Sequence, residues 1–504
     1  MAAAGAPDVV PPAARAGRPP PLWLALHLPR LPLEALNPAP GTSLAVISGA
    51  DARAVVVAAD ERCRAAGIRA GMPASAACAL LPALRLVVRD AQAEAAALAG
   101  LAVWAGQFTS CASLVPPAGL VLEVGGSLRF FGGLDDLLAR VRRGIAALGY
   151  GARPGVAPTP LAAWLLARAG MPEPVIDARR LPGRLAGVPL ECLDLPARML
   201  QSLHRMGLAV LADCYRLPRD GLARRLDPAL LERLDRALGK RPDPRLPHAA
   251  PPHFERCAML PWEVTDAAQL LHAADRLLHE LAGFLRARAA GVQALELHLA
   301  HRRGPATRLA LELVAPTRDP AHLSSLLGER LARMELAQPV VYLGMRARAL
   351  GRLAPATADL YGDAAAAGDD GQVLVERLRA RLGTDAVRGL ALAADHRPEL
   401  AWRACRPGER CADPFAARAA AGRRRPPRPL WLMDPPRPLD TRDGEPWLEG
   451  ALRLVRGPER IESGWWDGND VARDYFEAHH CRGARYWIYH ELRRLRRWYL
   501  HGIF

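Results

Sequence analysis

The chain has 504 residues, half of them hydrophobic, which is too long for one ordinary domain and enough to build several cores. Its net charge of +15 favours polyanionic partners, although Lys240 is its only lysine, and so heavy a use of arginine beside abundant Ala, Pro and Gly is also what a GC-rich genome produces. With no apolar run long enough to span a bilayer and no apolar signal-peptide core, neither a membrane protein nor a secreted one is expected, and the chain is expected in the cytoplasm.

Residues 1–20 read as a disordered leader. Pro21 to Leu28 reads as a buried strand, and Leu44 to Ser48 and Ala54 to Ala58 as two more. A helix from Asp60 stops at Gly67, and Gly71-Met72-Pro73 starts another through Leu81, with Pro early, as helix starts permit. Ala91 to Phe108 has helical spacing, Leu120 to Val124 is a short strand, Gly132 to Leu148 is helical, a strand ends at Ala157, and Pro160 to Ala169 is helical. This mixed α/β region extends to about residue 180.

From 181 to 242 the texture is short amphipathic helices broken by Gly and Pro. The Pro-rich stretch 243–253 is a linker. A β-α-β-β-α-β unit follows over 254–352: Asp266 to Ala290 carries Leu270, Leu271, Ala274, Leu277, Leu278, Leu281 and Leu285 on one helical stripe, and Val292 to Ala300 and Thr307 to Val314 alternate around a turn at Arg302, Arg303 and Gly304. Such a unit makes one antiparallel sheet with helices on one face and the other face open. Residues 353–424 read as a flexible tail, with a helix expected over Glu376 to Leu390 and little order in the Ala-, Gly- and Asp-rich stretch before it. Residues 425–504 form an aromatic module.

Three segments carry a resemblance. ERCRAAGIRAGMPASAACALLP (Glu61 to Pro82) resembles the fingers signature of Y-family DNA polymerases, LEVGGSLRFFGG (Leu122 to Gly133) resembles their palm segment, and GVAPTPLAAWLLARAGMP (Gly155 to Pro172) is similar to their Gly-Ile-Ala-x-Asn-Lys motif. The resemblance covers roughly Pro21 to Leu350. It implies an α+β right hand: palm and fingers over 21–180, with the fingers at about 51–103, a helical thumb and a β-α-β-β-α-β little finger. Such polymerases hold two magnesium ions with carboxylates. Carried onto this chain, the first carboxylate falls on Ala25, the next acidic position on His27, and the Asp-Glu pair on Ala118 and Gly119. The steric-gate aromatic falls on Arg30, the fingers Tyr on Glu61 beside a retained Arg64, and a triphosphate-facing Lys on Met171. Neutral Ala and Gly do not ligate magnesium, so no catalytic residue, metal or cofactor is assigned.

Inactive relatives of this kind form the ImuB family. LALHLPRLPLEAL (Leu24 to Leu36), GPERIESGWWDGNDVARDYF (Gly457 to Phe476), RYWIYHE (Arg485 to Glu491) and WYLHGIF (Trp498 to Phe504) look like that family's segments. The resemblance implies a non-catalytic scaffold of translesion synthesis, with primer-template DNA, the sliding clamp, an ImuA-like RecA-related accessory protein and an error-prone replicative-type polymerase as partners. Two other readings stand beside it: an active divergent polymerase drawing ligands from Glu123, His27 or Glu34, and a protein-interaction module without DNA binding.

Thr357, Asp359, Leu360 and Tyr361 resemble a clamp-binding peptide in which Thr357 replaces the usual Gln. Arg64, Arg302, Arg303, Arg346 and Arg348 are candidate DNA contacts. Trp465, Trp466, Tyr475 and Phe476 are candidate partner contacts, in a cassette whose aromatic density also suits a small core. The nine cysteines contain no Cys-x-x-Cys pair, and Cys405 and Cys411 are spaced too widely for a zinc knuckle, so all read as reduced thiols.

Overall fold

The computed structural model describes residues 20–38, 41–218, 228–336, 338–353, 364–409, 411–412, 427–493 and 495–504. Most of the leader and all four clamp-motif positions, Thr357, Asp359, Leu360 and Tyr361, lie outside the described residues. Two compact units divide the chain, 1–362 and 363–504.

The first unit begins with β1 (Trp23–His27), α1 (Leu31–Glu34), β2 (Leu44–Ile47), β3 (Val56–Ala59), α2 (Glu61–Ala65), α3 (Ala74–Leu80), β4 (Arg85–Val88), α4 (Ala91–Ala105), β5 (Ala112–Val115), β6 (Gly119–Glu123), α5 (Leu128–Phe131), α6 (Leu134–Ala147), β7 (Arg153–Ala157) and α7 (Pro160–Ala169). β5, β6, β1 and β7 form an antiparallel sheet in that order. Because successive side chains leave opposite faces of a strand, Leu24, Leu26, Leu120, Leu122 and Val156 all point to one face, where α4 and α6 close a core. The other face carries Ala25, Val121 and Ala157 and is covered by α7. Large residues on one side and small ones on the other let α7 approach very closely: a Cβ added at Gly155 would lie 2.3 Å from the Ala163 carbonyl oxygen.

β2, β3 and β4 make a separate small sheet, order β3-β2-β4. Asp60 ties it to α2, accepting from the Cys63 amide at 2.8 Å as a helix cap and from the Leu44 amide at 2.7 Å. This sheet starts at Leu44, before the expected fingers boundary, and α4 packs into the core of the larger sheet instead. β4 and β5 were not expected from the sequence, since each has only four residues.

Among the described residues four helices follow: α8 (Leu181–Leu185), α9 (Ala197–Arg205), α10 (Leu211–Arg216) and α11 (Pro228–Ala237). They bury Leu181, Leu185, Leu203, Leu211, Leu230 and Leu234 in the core beneath α7. Next come β8 (Glu255–Val264), α12 (Ala267–Ala287), β9 (Ala290–His301), β10 (Thr307–Thr317), α13 (Pro320–Leu331) and β11 (Val340–Arg352), the β-α-β-β-α-β order expected from the sequence. The sheet is antiparallel in the order β10-β9-β11-β8.

α12 also packs on α4. Two helix glycines allow this: a Cβ on Gly100 would meet Arg256 at 2.4 Å and Glu280 at 2.6 Å, and one on Gly283 would meet Trp104 at 2.5 Å. At that contact Arg256 donates to Glu280 at 2.8 Å and to the Ala96 carbonyl at 2.7 Å, and Glu280 is 2 % exposed.

The second unit contains α14 (Ala364–Leu382), the hairpin β12 (Gly389–Leu392) and β13 (Trp402–Cys405), and β14 (Trp431–Pro438), β15 (Asp440–Arg442), β16 (Glu445–Trp447), β17 (Leu452–Ser463), β18 (Val471–His480), β19 (Arg485–Glu491) and β20 (Trp498–Ile503). One expectation is corrected here. The helix starts twelve residues before Glu376 and ends at Leu382, and Leu390 belongs to a strand. The aromatic module begins with β14, rich in proline, which pairs with β20 at the edge of a five-stranded sheet, order β14-β20-β19-β18-β17. An edge is where strand prolines are tolerated.

Candidate functional site

The β1–β6 register brings the aligned positions together at one end of the larger sheet. His27 pairs with Gly119, Ala25 with Val121, and the Leu28 amide donates to the Ala118 carbonyl at 2.8 Å. Pleating puts Ala25, His27 and Gly119 on the α7 face; Ala118 packs against the core on the other. Ala25 is fully buried.

Trp164 covers this end. α7 is fixed by Thr159, whose hydroxyl accepts from the Ala162 amide at 3.2 Å, by Pro160 in the first turn, and by Gly170 in the left-handed conformation at φ 69°. The helix so placed holds the Trp164 ring where a side chain on Gly119 would go: a Cβ there would lie 2.1 Å from a ring carbon. The His27 ring meets the indole edge-on, with centroids 5.4 Å apart.

Two arginines act on His27, Arg153 and Arg168, the latter ion-paired with Asp194. Burial, then the Arg168 and Arg153 guanidinium groups, push the His27 pKa down to about 4, and its Nδ1 is buried without a hydrogen-bond partner. Nearby carboxylates are engaged elsewhere. Glu34 is buried, accepts from the Gly151 amide at 3.1 Å and pairs with Arg30 at 3.0 Å; burial raises its pKa despite those partners. Glu123 pairs with Trp23 at the opposite end of β6 from Gly119, and its carboxylate accepts from the Gly125 amide at 3.1 Å. It lies four positions along the strand from Gly119, about 13 Å away. These residues do not fit a two-magnesium centre, which needs converging oxygens. Among the described residues, the three-donor group whose ligand atoms lie within 4.8 Å of one another is Cys405, Glu409 and Cys411, in the other unit. A turn at Arg406–Glu409, with Gly408 at φ 79°, closes the spacing that looked too wide in sequence.

The remaining site residues scatter. Arg64 is ion-paired with Glu61, the residue that replaces the fingers Tyr. Met171 lies at the margin of the α7 core. Arg302 and Arg303 sit on the β9–β10 turn, Arg302 paired with Glu263 at 3.0 Å. Arg346 and Arg348 lie on β11, paired with Glu255 at 3.7 Å and with Glu296. The β11–β9 register sets Arg346 opposite Glu296, five residues from His301 at the turn, about 17 Å away. The four arginines therefore form two clusters.

In the second unit the cassette divides. Trp465 and Trp466 are 74 % and 59 % exposed, their rings edge-to-face at 4.6 Å. Their loop is anchored by Arg397, which is 3 % exposed and donates to Asp467 at 2.6 Å, to Asp395 at 2.8 Å and to the Asn469 carbonyl at 3.1 Å. Tyr475, by contrast, is 1 % exposed and stacked on Trp487 with centroids 4.2 Å apart, so it builds the module and offers no partner surface, while Phe476 is half-buried, packed against a cluster with Leu452, Ala478, Ile488 and Leu500. Trp164 and Arg397 were not singled out from the sequence. An isolated Trp on an apolar helix, or an Arg among many, carries no local signal of its long-range partner.

Fully buried His501 lies with Nδ1 2.8 Å from the Tyr475 hydroxyl. Its pKa is pushed down to about 4, chiefly by burial, with Arg473 adding to the fall and Glu399 opposing it. The folded state holds this ring neutral while the unfolded chain takes up a proton, so the associated stability is present above the ordinary value of 6.5 and lost as pH falls towards 4. We expect the melting temperature of the second unit to drop over that window, and a smaller drop in His501→Gln. Equal slopes in the two proteins would remove His501 as the cause.

Residues 34–168 match the impB/mucB/samB family. Along most of its length the chain is similar to proteins called Protein ImuB from two strains of Caulobacter vibrioides, NA1000 / CB15N and ATCC 19089 / CIP 103742 / CB 15: 28 % identity over 463 residues in each case, covering 87 % of this chain and all of the relative. It is an ImuB-like chain. Among solved structures, an insertion ternary complex of Dbh DNA polymerase aligns at 16 % identity and TM-score 0.37, over 64 % of this chain and 98 % of that one. DinB from Sulfolobus solfataricus aligns at 17 % and 0.36, over 65 % and 98 %. No helix among the described residues is long and apolar enough to cross a membrane.

Proposed function

We propose that this chain is a non-catalytic, polymerase-like scaffold of damage-induced translesion synthesis, which binds primer-template DNA and assembles other proteins on it. The observation that carries the reading is the Trp164 ring against Gly119, beside buried Ala25 and neutral His27. An indole and two nearby guanidinium groups fill the region where the resembling polymerases need converging carboxylates. DNA contact falls to Arg64, Arg302, Arg303, Arg346 and Arg348. Partner contact falls to the Trp465–Trp466 loop and, outside the described residues, to Thr357, Asp359, Leu360 and Tyr361 as the clamp-binding peptide. The sliding clamp, an ImuA-like accessory protein and an error-prone polymerase are the partners proposed, by analogy with the relatives' name and the sequence resemblance.

The test is primer extension with magnesium and then manganese, alongside gel shifts of the same DNA across a salt series. We expect no extension, and an affinity that falls steeply with salt, with a log–log slope of about −0.9 per phosphate neutralised. Reversing the turn charges, Arg302→Glu with Arg303→Glu, should reduce affinity about tenfold at low salt and flatten the slope by about two. Extension surviving purification would overturn the non-catalytic reading. A shallow slope unchanged by the double substitution would favour a protein-interaction module.

A further inference from the structure

On the face of the larger sheet remote from Ala25 and Gly119 lies a groove of about 610 Å³ between α5, α6 and the α12–α13 region. Its floor is aromatic. Phe131 contacts Phe108 with centroids 5.5 Å apart, and Phe130 stands edge-on to Phe131 at 4.9 Å while remaining 85 % exposed. The one-turn helix α5 presents Phe130 rigidly, because Gly132 and Gly133 end it in left-handed conformations that a side chain would resist, at φ 83° and 122°.

The rim is cationic. Arg140 and Arg143 come from α6, Arg286 from α12, and Arg318 from the residues before α13. Among the described residues, none of the four has a carboxylate within 4.0 Å, whereas most arginines of this chain noted above do. Arg140 lies over the Phe131 ring at 5.8 Å, and Arg286 donates to the Gln107 side chain at 3.3 Å. Crowding by neighbouring atoms and then the Arg318 charge push the Arg286 pKa below the usual arginine value. The acid beside that pair, Asp319, already accepts from the Ala321 amide at 3.0 Å as the cap of α13.

We propose that this groove docks an acidic peptide segment of a partner protein, with an apolar or aromatic side chain inserted against Phe130 and Phe131. An apolar floor within a charged rim is the arrangement of an interface hot spot, and four guanidinium groups without carboxylates select negative charge. Single-stranded DNA is the less suitable occupant: it needs successive stacking planes along a track, and here one exposed ring stands over a pocket. This surface is separate from the region of Trp164 and does not depend on how that end of the sheet is read.

The experiment is fluorescence anisotropy of the full chain with a fluorescein-labelled peptide of Asp and Glu around a central Leu-Trp pair. The same peptide with Ser-Ser at its centre, and unlabelled oligothymidylate, serve as competitors. We expect saturable binding, about tenfold weaker with the Ser-Ser peptide, and about tenfold weaker again in Phe130→Ser and in Arg143→Glu, with oligothymidylate failing to displace the peptide. Both substituted side chains are exposed, so the fold should persist, and an unchanged thermal melt checks this. Absent binding, or binding indifferent to both substitutions, would overturn the proposal. Displacement by oligothymidylate, lost in the same variants, would reassign the groove to DNA.

Discussion

A protein carrying Ala25→Asp, Ala118→Asp and Gly119→Glu together will not extend a primer, and it will melt well below the parent. The loss of stability comes from Gly119. Any side chain there starts with its Cβ 2.1 Å from a Trp164 ring carbon, and the indole is itself only 5 % exposed, wedged between α7 and the sheet. Overpacking of this kind costs about 1–3 kcal/mol, occasionally more, and burying new carboxylates in an apolar core adds to that. At less than roughly 2 °C per kcal/mol for so large a unit, we expect a fall of several degrees. Adding Trp164→Ala should recover part of the melting temperature. It should not create activity, because Arg30 stays paired with Glu34 and Met171 offers no cation. Robust magnesium-dependent extension by the triple or quadruple variant would show that missing ligands alone separate this chain from a working polymerase.

The second large effect is expected where α12 meets α4. Glu280→Ala would leave Arg256, 19 % exposed, without its carboxylate between two packed elements. Breaking a buried pair by removing one partner costs about 3–5 kcal/mol, while replacing both by apolar residues of similar volume is often neutral. The urea midpoint should therefore fall sharply in Glu280→Ala and recover in Arg256→Met with Glu280→Leu. The nearby Arg276 contact provides an internal comparison. Arg276 lies 4.4 Å over the Tyr150 ring and donates to its hydroxyl at 3.3 Å, so Tyr150→Phe should remove one hydrogen bond, worth about 1 kcal/mol, and leave the packing intact. If Glu280→Ala costs no more than Tyr150→Phe, the ion pair contributes little to holding α12 in place.

Much of the first unit was legible in the sequence because its signals are local. Thr159-Pro160 before an apolar run and Gly170 after it define α7 from its ends, and the structure places that helix at Pro160–Ala169. The stripe Leu270 to Leu285 similarly announces α12. The second unit was much less legible. Its strands alternate weakly, prolines interrupt β14, and aromatic side chains with opposite fates stand only ten residues apart: Trp465 faces solvent and Tyr475 is core. Their residue types are alike, and only sheet pairing separates them. Cys405 and Cys411 show the same limit, since a turn brings together thiols whose sequence spacing suggested none of it.

By itself, then, the sequence determined the longer elements between Trp23 and Arg352, though not the four-residue strands β4 and β5, and the lack of side-chain oxygen at Ala25, Ala118 and Gly119. Periodicity, caps and residue identity belong to neighbours along the chain. Only the tertiary structure decided the strand order β5-β6-β1-β7, the seating of Trp164 on Gly119, the pairing of Arg256 with Glu280, and which aromatics of the last module face water. Each of those depends on register and close packing between segments tens of residues apart. A shift of one residue in a strand would exchange its faces, and nothing in a local pattern records which partner a face will meet.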